Sequence, residues 1–178
     1  MKQNRIQSQT KKITAAAILS ALGVLFLLLG SFFESLDLTF SAMAAVIVVF
    51  AVIEIGKPFP LLIYAVTSLL SLLLLPSKFA AVAYALFFGY YPIFKEMFER
   101  LHFLLSLLLK FSLFNTAFFL IILVSKHFLG LSEEFSFGIP LLLVGNVAFF
   151  AFDFLLTQLI TLYFVKWRKR FHLGDYFE

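Results

Sequence analysis

Asp153 is the residue of this chain whose chemistry most needs an explanation. It lies near the middle of a 26-residue apolar run, residues 140–165, and no other charged residue occurs between Glu134 and Lys166. If this run crosses a bilayer as a helix, an ionised carboxylate at its centre costs about 3 to 10 kcal/mol or more. We therefore expect Asp153 to face a bundle interior, a partner or a polar cavity, and either to bind a solute, an ion or a proton or to form a structural contact between helices.

Other polar residues within the apolar stretches are candidates for the same site. Asn146, Asp153, Thr157 and Thr161 are spaced by seven, four and four residues, which places them on one face of a helix. Tyr84 and Tyr91 share a face in the same way, as do Tyr64, Thr67, Ser68 and Ser71. The candidate solute-binding residues are Asp153, Asn146, Thr157, Asn115, Tyr84 and Lys110. For the neutral side chains the alternative is hydrogen bonding between helices, which contributes about 0.6 kcal/mol per contact.

Lys110 is the basic residue inside an apolar stretch, residues 101–124. As a helix this stretch would be about 36 Å long, which exceeds the roughly 30 Å of bilayer hydrocarbon. A helical side chain points toward the N-terminus of its helix, so Lys110 is expected to extend its ammonium group toward the interface. Pairing with Asp153 is the alternative. Lys110 lies nearly opposite the polar face of this helix that contains Asn115, and this opposition argues against the pairing.

Composition and hydropathy predict an all-α integral membrane protein. Apolar residues make up 62% of the 178 residues, charged residues only 13%, and the mean hydropathy is +1.03. A soluble domain of this size could not bury so much apolar surface. The strict alternation of a membrane β-barrel is missing. Six apolar stretches predict a compact bundle of six transmembrane helices in a single domain, residues 1–178: 13–32, 39–55, 59–75, 79–93, 101–124 and 140–165.

The distribution of basic residues predicts the orientation of the bundle. Eleven of the 14 lysines and arginines fall in the two tails, about 1–12 and 166–178, and in the second and fourth connections; the odd-numbered connections hold only Lys78 and Lys126. Basic residues accumulate on the cytoplasmic side, so both termini are expected there. Acidic residues occupy the first and last outer connections, with Glu34 and Asp37 in one and Glu133 and Glu134 in the other. We predict a multi-pass protein of a bacterial cell membrane.

The residue types argue against catalysis, metals and cofactors. The chain has no cysteine, and His102, His127 and His172 lie at or beyond the span ends without a second ligand at metal-binding spacing. Neither a nucleophile motif nor a phosphate-binding glycine loop is present. We therefore predict no enzyme activity, no metal and no cofactor. The basic tails flank helices at the cytoplasmic leaflet, so they are expected to contact anionic lipid headgroups rather than nucleic acid.

Small residues cluster at the cytoplasmic end of the first stretch. Ala17 and Ala21, and likewise Ala16 and Ser20, form small-xxx-small pairs that let another helix approach closely. Packing inside the bundle is one interpretation, and a docking face for a second subunit is the other.

The chain has a basic tail, an alanine-rich first helix with an A-x-x-x-A pair, six apolar stretches and a short acidic loop after the first helix. Together these features resemble the substrate-binding S components of energy-coupling factor transporters. The resemblance covers the layout of the whole chain but residue detail only over 11–30. It implies a subunit that captures a small-molecule micronutrient and docks onto a transmembrane coupling subunit carrying two ATPases. Ala17 and Ala21 would be the docking pair. The alternatives are a structural or assembly subunit of a bacterial membrane complex and a small self-contained permease.

Overall fold

The computed structural model describes residues 2–128 and 139–167. This part of the chain is helical and contains no strand. Its helices are α1 (Lys2–Phe32), α2 (Asp37–Glu54), α3 (Phe59–Leu74), α4 (Phe79–Ala83), α5 (Tyr91–Phe98), α6 (Phe103–Phe128) and α7 (Ile139–Leu162). A 3-10 turn, Glu34–Leu36, precedes α2, and π-helical turns, Tyr84–Phe88 and Tyr163–Trp167, follow α4 and α7.

Four helical segments in the described residues are long and apolar enough to cross a membrane. They are Gln9–Phe32, Asp37–Glu54, Phe103–His127 and Pro140–Lys166. Phe59–Leu74 is apolar but shorter, and the fourth predicted stretch is divided among α4, a π turn and α5. The prediction of a helical membrane protein is confirmed at this level, whereas six crossings and the sidedness of the termini stay predictions.

Pro92 accounts for the break in the fourth stretch. Proline has no N–H and cannot continue the hydrogen-bond ladder of a preceding helix. Ahead of it the backbone widens into a π turn, in which the N–H of Gly89 donates to the carbonyl of Tyr84 at 2.8 Å. The hydroxyl of Tyr64 on α3 donates to the carbonyl of Ala85 at 2.8 Å. A side chain from α3 therefore satisfies a carbonyl of the distorted segment, which fixes the bend in place.

The interior face of α1 consists of small side chains that admit α3. Ala16, Ser20 and Gly23 are buried on this face. The hydroxyl of Thr67 donates to the carbonyl of Ser20 at 3.4 Å, and a Cβ added to Gly23 would lie 3.0 Å from Cγ2 of Thr67. Close approach of the two backbones therefore depends on Gly23, as small interface residues permit.

Helix α2 is the centre of the bundle. Half of its residues are buried, and it packs against α1, α3, α5 and α7. It separates two apolar clusters. The first is built mainly from α1 to α4 and includes Leu27, Val48, Ile63 and Tyr84. The second joins α2 to the π turn, α5, α6 and α7 and includes Val49, Phe87, Tyr91, Phe114, Phe149 and Leu156. Asp153 lies beside this second cluster, so the elements that position it are α5, α6 and α7.

Candidate functional site

The carboxylate of Asp153 is surrounded by donors from two neighbouring helices. The hydroxyl of Tyr91 on α5 donates to Oδ1 at 2.6 Å, and Nζ of Lys95 makes a short contact to the same oxygen. Nζ of Lys110 on α6 lies 3.1 Å from Oδ2. Both carboxylate oxygens of Asp153 are thus occupied by side chains of the chain itself, which offsets the cost of placing a charge among apolar helices.

Glu99 completes a ring of four charges. Its Oε1 lies 2.7 Å from Nζ of Lys95 and 3.2 Å from Nζ of Lys110. Each lysine therefore bridges the same two carboxylates, and with two cations and two anions the ring is formally neutral. We call Lys95, Glu99, Lys110 and Asp153 the charge cluster.

The members of the charge cluster differ in exposure. The side chain of Lys95 is 1% exposed and that of Lys110 is 10% exposed, whereas Asp153 is 20% and Glu99 42% exposed. The cluster therefore opens to the outside on the side of Glu99 and is closed around Lys95. A lysine as buried as Lys95 requires several oxygen partners.

Thr157 supplies a further partner for Lys95. Nζ of Lys95 lies 2.8 Å from Oγ1 of Thr157, whose own hydroxyl donates to the carbonyl of Asp153 at 2.8 Å. Together with Asp153 and Glu99, Thr157 gives the ammonium group three close oxygen partners, one for each of its protons.

Polar residues at intervals of four along α5 form one side of the site. Tyr91, Lys95 and Glu99 are each four residues apart, so they stack on one face of the helix. Pro92 lies in the first turn of α5, where proline is tolerated, and sets where this face begins. Across from it, Asp153 and Thr157 are four residues apart on α7. Tyr91 and Lys95 of α5 therefore face Asp153 and Thr157 of α7 and donate hydrogen bonds to them.

An aromatic layer packs next to the charge cluster. The ring of Tyr91 lies 5.6 Å from that of Phe149 and 5.8 Å from that of Phe152, and Phe149 stacks on Phe114 at 4.6 Å between centroids. These rings exclude water from one side of the cluster, and ion pairs strengthen where the local dielectric constant falls.

The preference for Lys110 extending to the interface is wrong. Lys110 is buried, and its ammonium group bonds to Asp153 and Glu99. Its side chain does lean toward the start of α6, as expected, but Glu99 lies just before that helix and receives it. The opposing position of Asn115 does not prevent the pairing, because both side chains reach α7, Lys110 at Asp153 and Asn115 at Asn146.

Sequence reasoning missed Lys95 as a member of the site. The sequence predicts Lys95 in a cytoplasmic connection because it follows the fourth apolar stretch, yet it is buried against Asp153 and Thr157. The spacing of Tyr91, Lys95 and Glu99 was a usable signal, since three polar residues at intervals of four mark one face. Removing Lys95 from the connections leaves ten basic residues against two, so the predicted bias is kept.

Asn115 and Asn146 form a separate polar contact. Each amide donates to the other, at 3.1 and 3.2 Å, and each also donates to the carbonyl four residues earlier in its own helix. All four amide protons are used, and neither residue bonds to Asp153. The structure therefore supports the interhelical alternative for these two residues, as a bridge between α6 and α7.

Tyr84 does not join Asp153 either. It is fully buried in the first apolar cluster, with its ring 6.3 Å from that of Tyr64, whereas Tyr91 belongs to the second cluster. The expectation that Tyr84 and Tyr91 share a face is wrong, because the π turn and the break before Pro92 change the angular register between them. Of the predicted candidates, the structure thus brings together Asp153, Thr157 and Lys110.

Helix α7 is attached to the bundle at three levels. Within residues 140–162 only Phe149 and Leu156 are buried, but Asn146 bonds to Asn115, Asp153 joins the charge cluster, and the hydroxyl of Tyr163, in the π turn after α7, donates to Glu54 of α2 at 2.9 Å. Polar contacts therefore add to the apolar packing of Phe149 and Leu156 in positioning this helix. Thr161 lies on the predicted stripe as well, but it is exposed and bonds to the carbonyl of Thr157 in its own helix.

The two small pairs of α1 have different environments. Ala16 and Ser20 are buried against the bundle, and Ala17 and Ala21 are exposed on its outer surface. The acidic connection with Glu133 and Glu134 and the basic residues from 168 onward lie outside the described residues.

Within the described residues no group of three or more His, Cys, Asp or Glu side chains is arranged to hold a metal ion. Comparisons with protein-family models, curated proteins and solved structures find no significant match to this chain.

Proposed function

We propose that this chain is the membrane-embedded solute-binding subunit of a micronutrient uptake transporter of the energy-coupling factor type. In this proposal the chain crosses a bacterial cell membrane six times with both termini in the cytoplasm. The short helix α3 and the broken segment from α4 to α5 supply the third and fourth crossings. Energy comes from a separate transmembrane coupling subunit with two ATPases.

The observation that carries the proposal is the orientation of α1. The Ala16 and Ser20 face packs into the bundle, while Ala17 and Ala21 are exposed. An exposed small-xxx-small pair leaves room for the backbone of another helix to approach closely. Ala17 and Ala21 are thus available to the coupling subunit without any rearrangement of this chain.

The charge cluster supports a binding role within the same proposal. Ionisable residues inside a membrane bundle are costly and mark sites of binding or transport. In the proposed topology α5 ends on the cytoplasmic side, so the cluster lies in that half of the bundle. It is therefore placed to act in solute release or in sensing the docked partner, rather than in first capture at the outer face.

Gentle extraction from the native membrane followed by native mass spectrometry tests the proposal. We expect the wild-type chain to carry a coupling subunit and ATPases. Ala17→Trp and Ala21→Trp should lose them, because the indole prevents close helix contact. Ala65→Trp is the matched control, since Ala65 is an exposed alanine on α3. Equal recovery of partners by Ala17→Trp and Ala65→Trp would refute the docking role of α1.

A structural or assembly subunit is the second candidate, and the saturation of Asp153 favours it. Both oxygens of this carboxylate are bonded to side chains of the chain itself. The charge cluster therefore has the form of a structural contact that joins α5, α6 and α7. The same spectra discriminate the two functions. A complex that retains a small molecule favours the solute-binding subunit, whereas a complex of partner proteins alone favours the structural one.

A further inference from the structure

Glu99 is the member of the charge cluster that the structure holds least firmly. Its side chain is 42% exposed, and a single oxygen, Oε1, accepts from both Lys95 and Lys110. Asp153, by contrast, uses both oxygens and is flanked by Tyr91 as well. The two carboxylates thus have unequal roles, with Asp153 fixed inside and Glu99 at the open edge.

Withdrawal of Glu99 would leave a positively charged site. Lys95 and Lys110 would then share only Asp153, so the group would carry a formal charge of one, next to the aromatic layer that limits access of water. An uncompensated charge in such surroundings is costly. An oxygen atom at the position of Glu99 Oε1 would receive two ammonium donors, and lysine is a common ligand of phosphate and carboxylate groups.

From this geometry we infer that Lys95 and Lys110 form a binding site for an oxyanion, a phosphate or carboxylate group, and that Glu99 is its displaceable internal occupant. The inference goes beyond the proposed function and does not depend on a coupling subunit. The anion can be the headgroup of an anionic lipid or a soluble anion, because both offer the same oxygen atoms. An external anion must displace Glu99 before it can bind. The apparent affinity of the wild type is therefore lowered, since the state in which Glu99 has withdrawn is only part of the population.

The chain offers a matched pair of substitutions for the test. Glu99→Gln removes the charge that competes for the two lysines. Glu96→Gln makes the same chemical change one turn earlier, where the carboxylate pairs with Arg100 rather than with the charge cluster. Lys110→Met removes one of the two proposed ligands of the anion.

The whole chain is reconstituted in nanodiscs of zwitterionic phosphatidylcholine, and Tm is followed as inorganic phosphate replaces chloride at constant ionic strength. A ligand of the folded state raises Tm with its concentration. We expect Glu99→Gln to bind phosphate about fivefold more tightly than the wild type, because a partly exposed ion pair is worth up to about 1 kcal/mol. Glu96→Gln should match the wild type, and Lys110→Met combined with Glu99→Gln should lose the response.

Nanodiscs containing phosphatidylglycerol distinguish the two sources of the anion. If a lipid headgroup fills the site, Tm of Glu99→Gln rises in these nanodiscs and added phosphate has no further effect. If a soluble anion is the ligand, the phosphate response is the same in both lipids. The inference is overturned if Glu99→Gln and Glu96→Gln respond alike to phosphate and to phosphatidylglycerol. Glu99→Asp, whose shorter side chain withdraws from the lysines, replaces Glu99→Gln if that variant does not fold.

Discussion

Nζ of Lys110 lies 3.1 Å from Oδ2 of Asp153, and this ion pair joins α6 to α7 inside the bundle. The same ammonium group reaches Glu99 in the connection before α6. Lys110 therefore connects α6 and α7 to the end of α5. Lys95 of α5 pairs with the same two carboxylates, Glu99 and Asp153. These charges act together with the apolar contacts of Phe149 and Leu156 in positioning α7.

Asp153→Asn and Lys95→Met are each expected to lower the free energy of unfolding by about 3 kcal/mol. Either change leaves the charge cluster with one formal charge uncompensated. The double variant should lose less than the sum, because Lys110 and Glu99 then remain as a neutral pair. Unfolding by a denaturing detergent in mixed micelles gives the four free energies of the cycle. Additive losses would contradict direct coupling between Lys95 and Asp153.

Tyr91→Phe is expected to cost about 2 kcal/mol, since it removes a hydrogen bond to a charged oxygen and keeps the ring in the aromatic layer. The same unfolding measurement reports the loss. Tyr90→Phe is the control, because it removes a neighbouring hydroxyl that makes no hydrogen bond to Asp153. Equal stability of the two variants would show that the hydroxyl of Tyr91 does not stabilise the carboxylate.

The helical class and the positions of most apolar stretches could be predicted from the sequence, because hydropathy reports burial in lipid or protein directly. The interior location of Asp153 followed from the cost of its charge. The membership of Lys95 could not be predicted in this way. A lysine three residues before the end of α5 has the same local sequence whether it faces water or a carboxylate on a helix 58 positions away.

The separation of Tyr84 from Tyr91 shows a second limit. Face assignments assume a regular helix, and one π turn changes the angular position of every residue that follows it. Pro92 indicated a disturbance, but not how the backbone would accommodate it. The contact of Tyr64 with the carbonyl of Ala85 depends on the packing of α3, which local sequence does not determine.

The paired amides of Asn115 and Asn146 give a prediction for the N-terminal half of α7. Asn115→Leu or Asn146→Leu alone should cost about 1 kcal/mol, since each leaves one amide without its partner among apolar side chains. Replacing both should recover part of this loss, because no unpaired amide remains. Unfolding free energies of the two single variants and the double variant test this coupling, and the losses would simply add if the amides acted independently.

Gly89→Ala is expected to destabilise the bundle by about 1 to 3 kcal/mol through overpacking. A Cβ at this position would lie 2.5 Å from Cδ2 of Tyr64 and 2.8 Å from Cε1 of Tyr84, so both packed rings or the backbone between them must shift. Moving Tyr64 would also weaken its hydrogen bond to Ala85 and with it the fixed bend ahead of α5. Gly145→Ala is the control, because its Cβ would meet only the edge of Phe118 at 3.1 Å. Thermal unfolding in micelles compares the two, and a smaller loss for Gly89→Ala than for Gly145→Ala would show that the bend does not require close contact at Gly89.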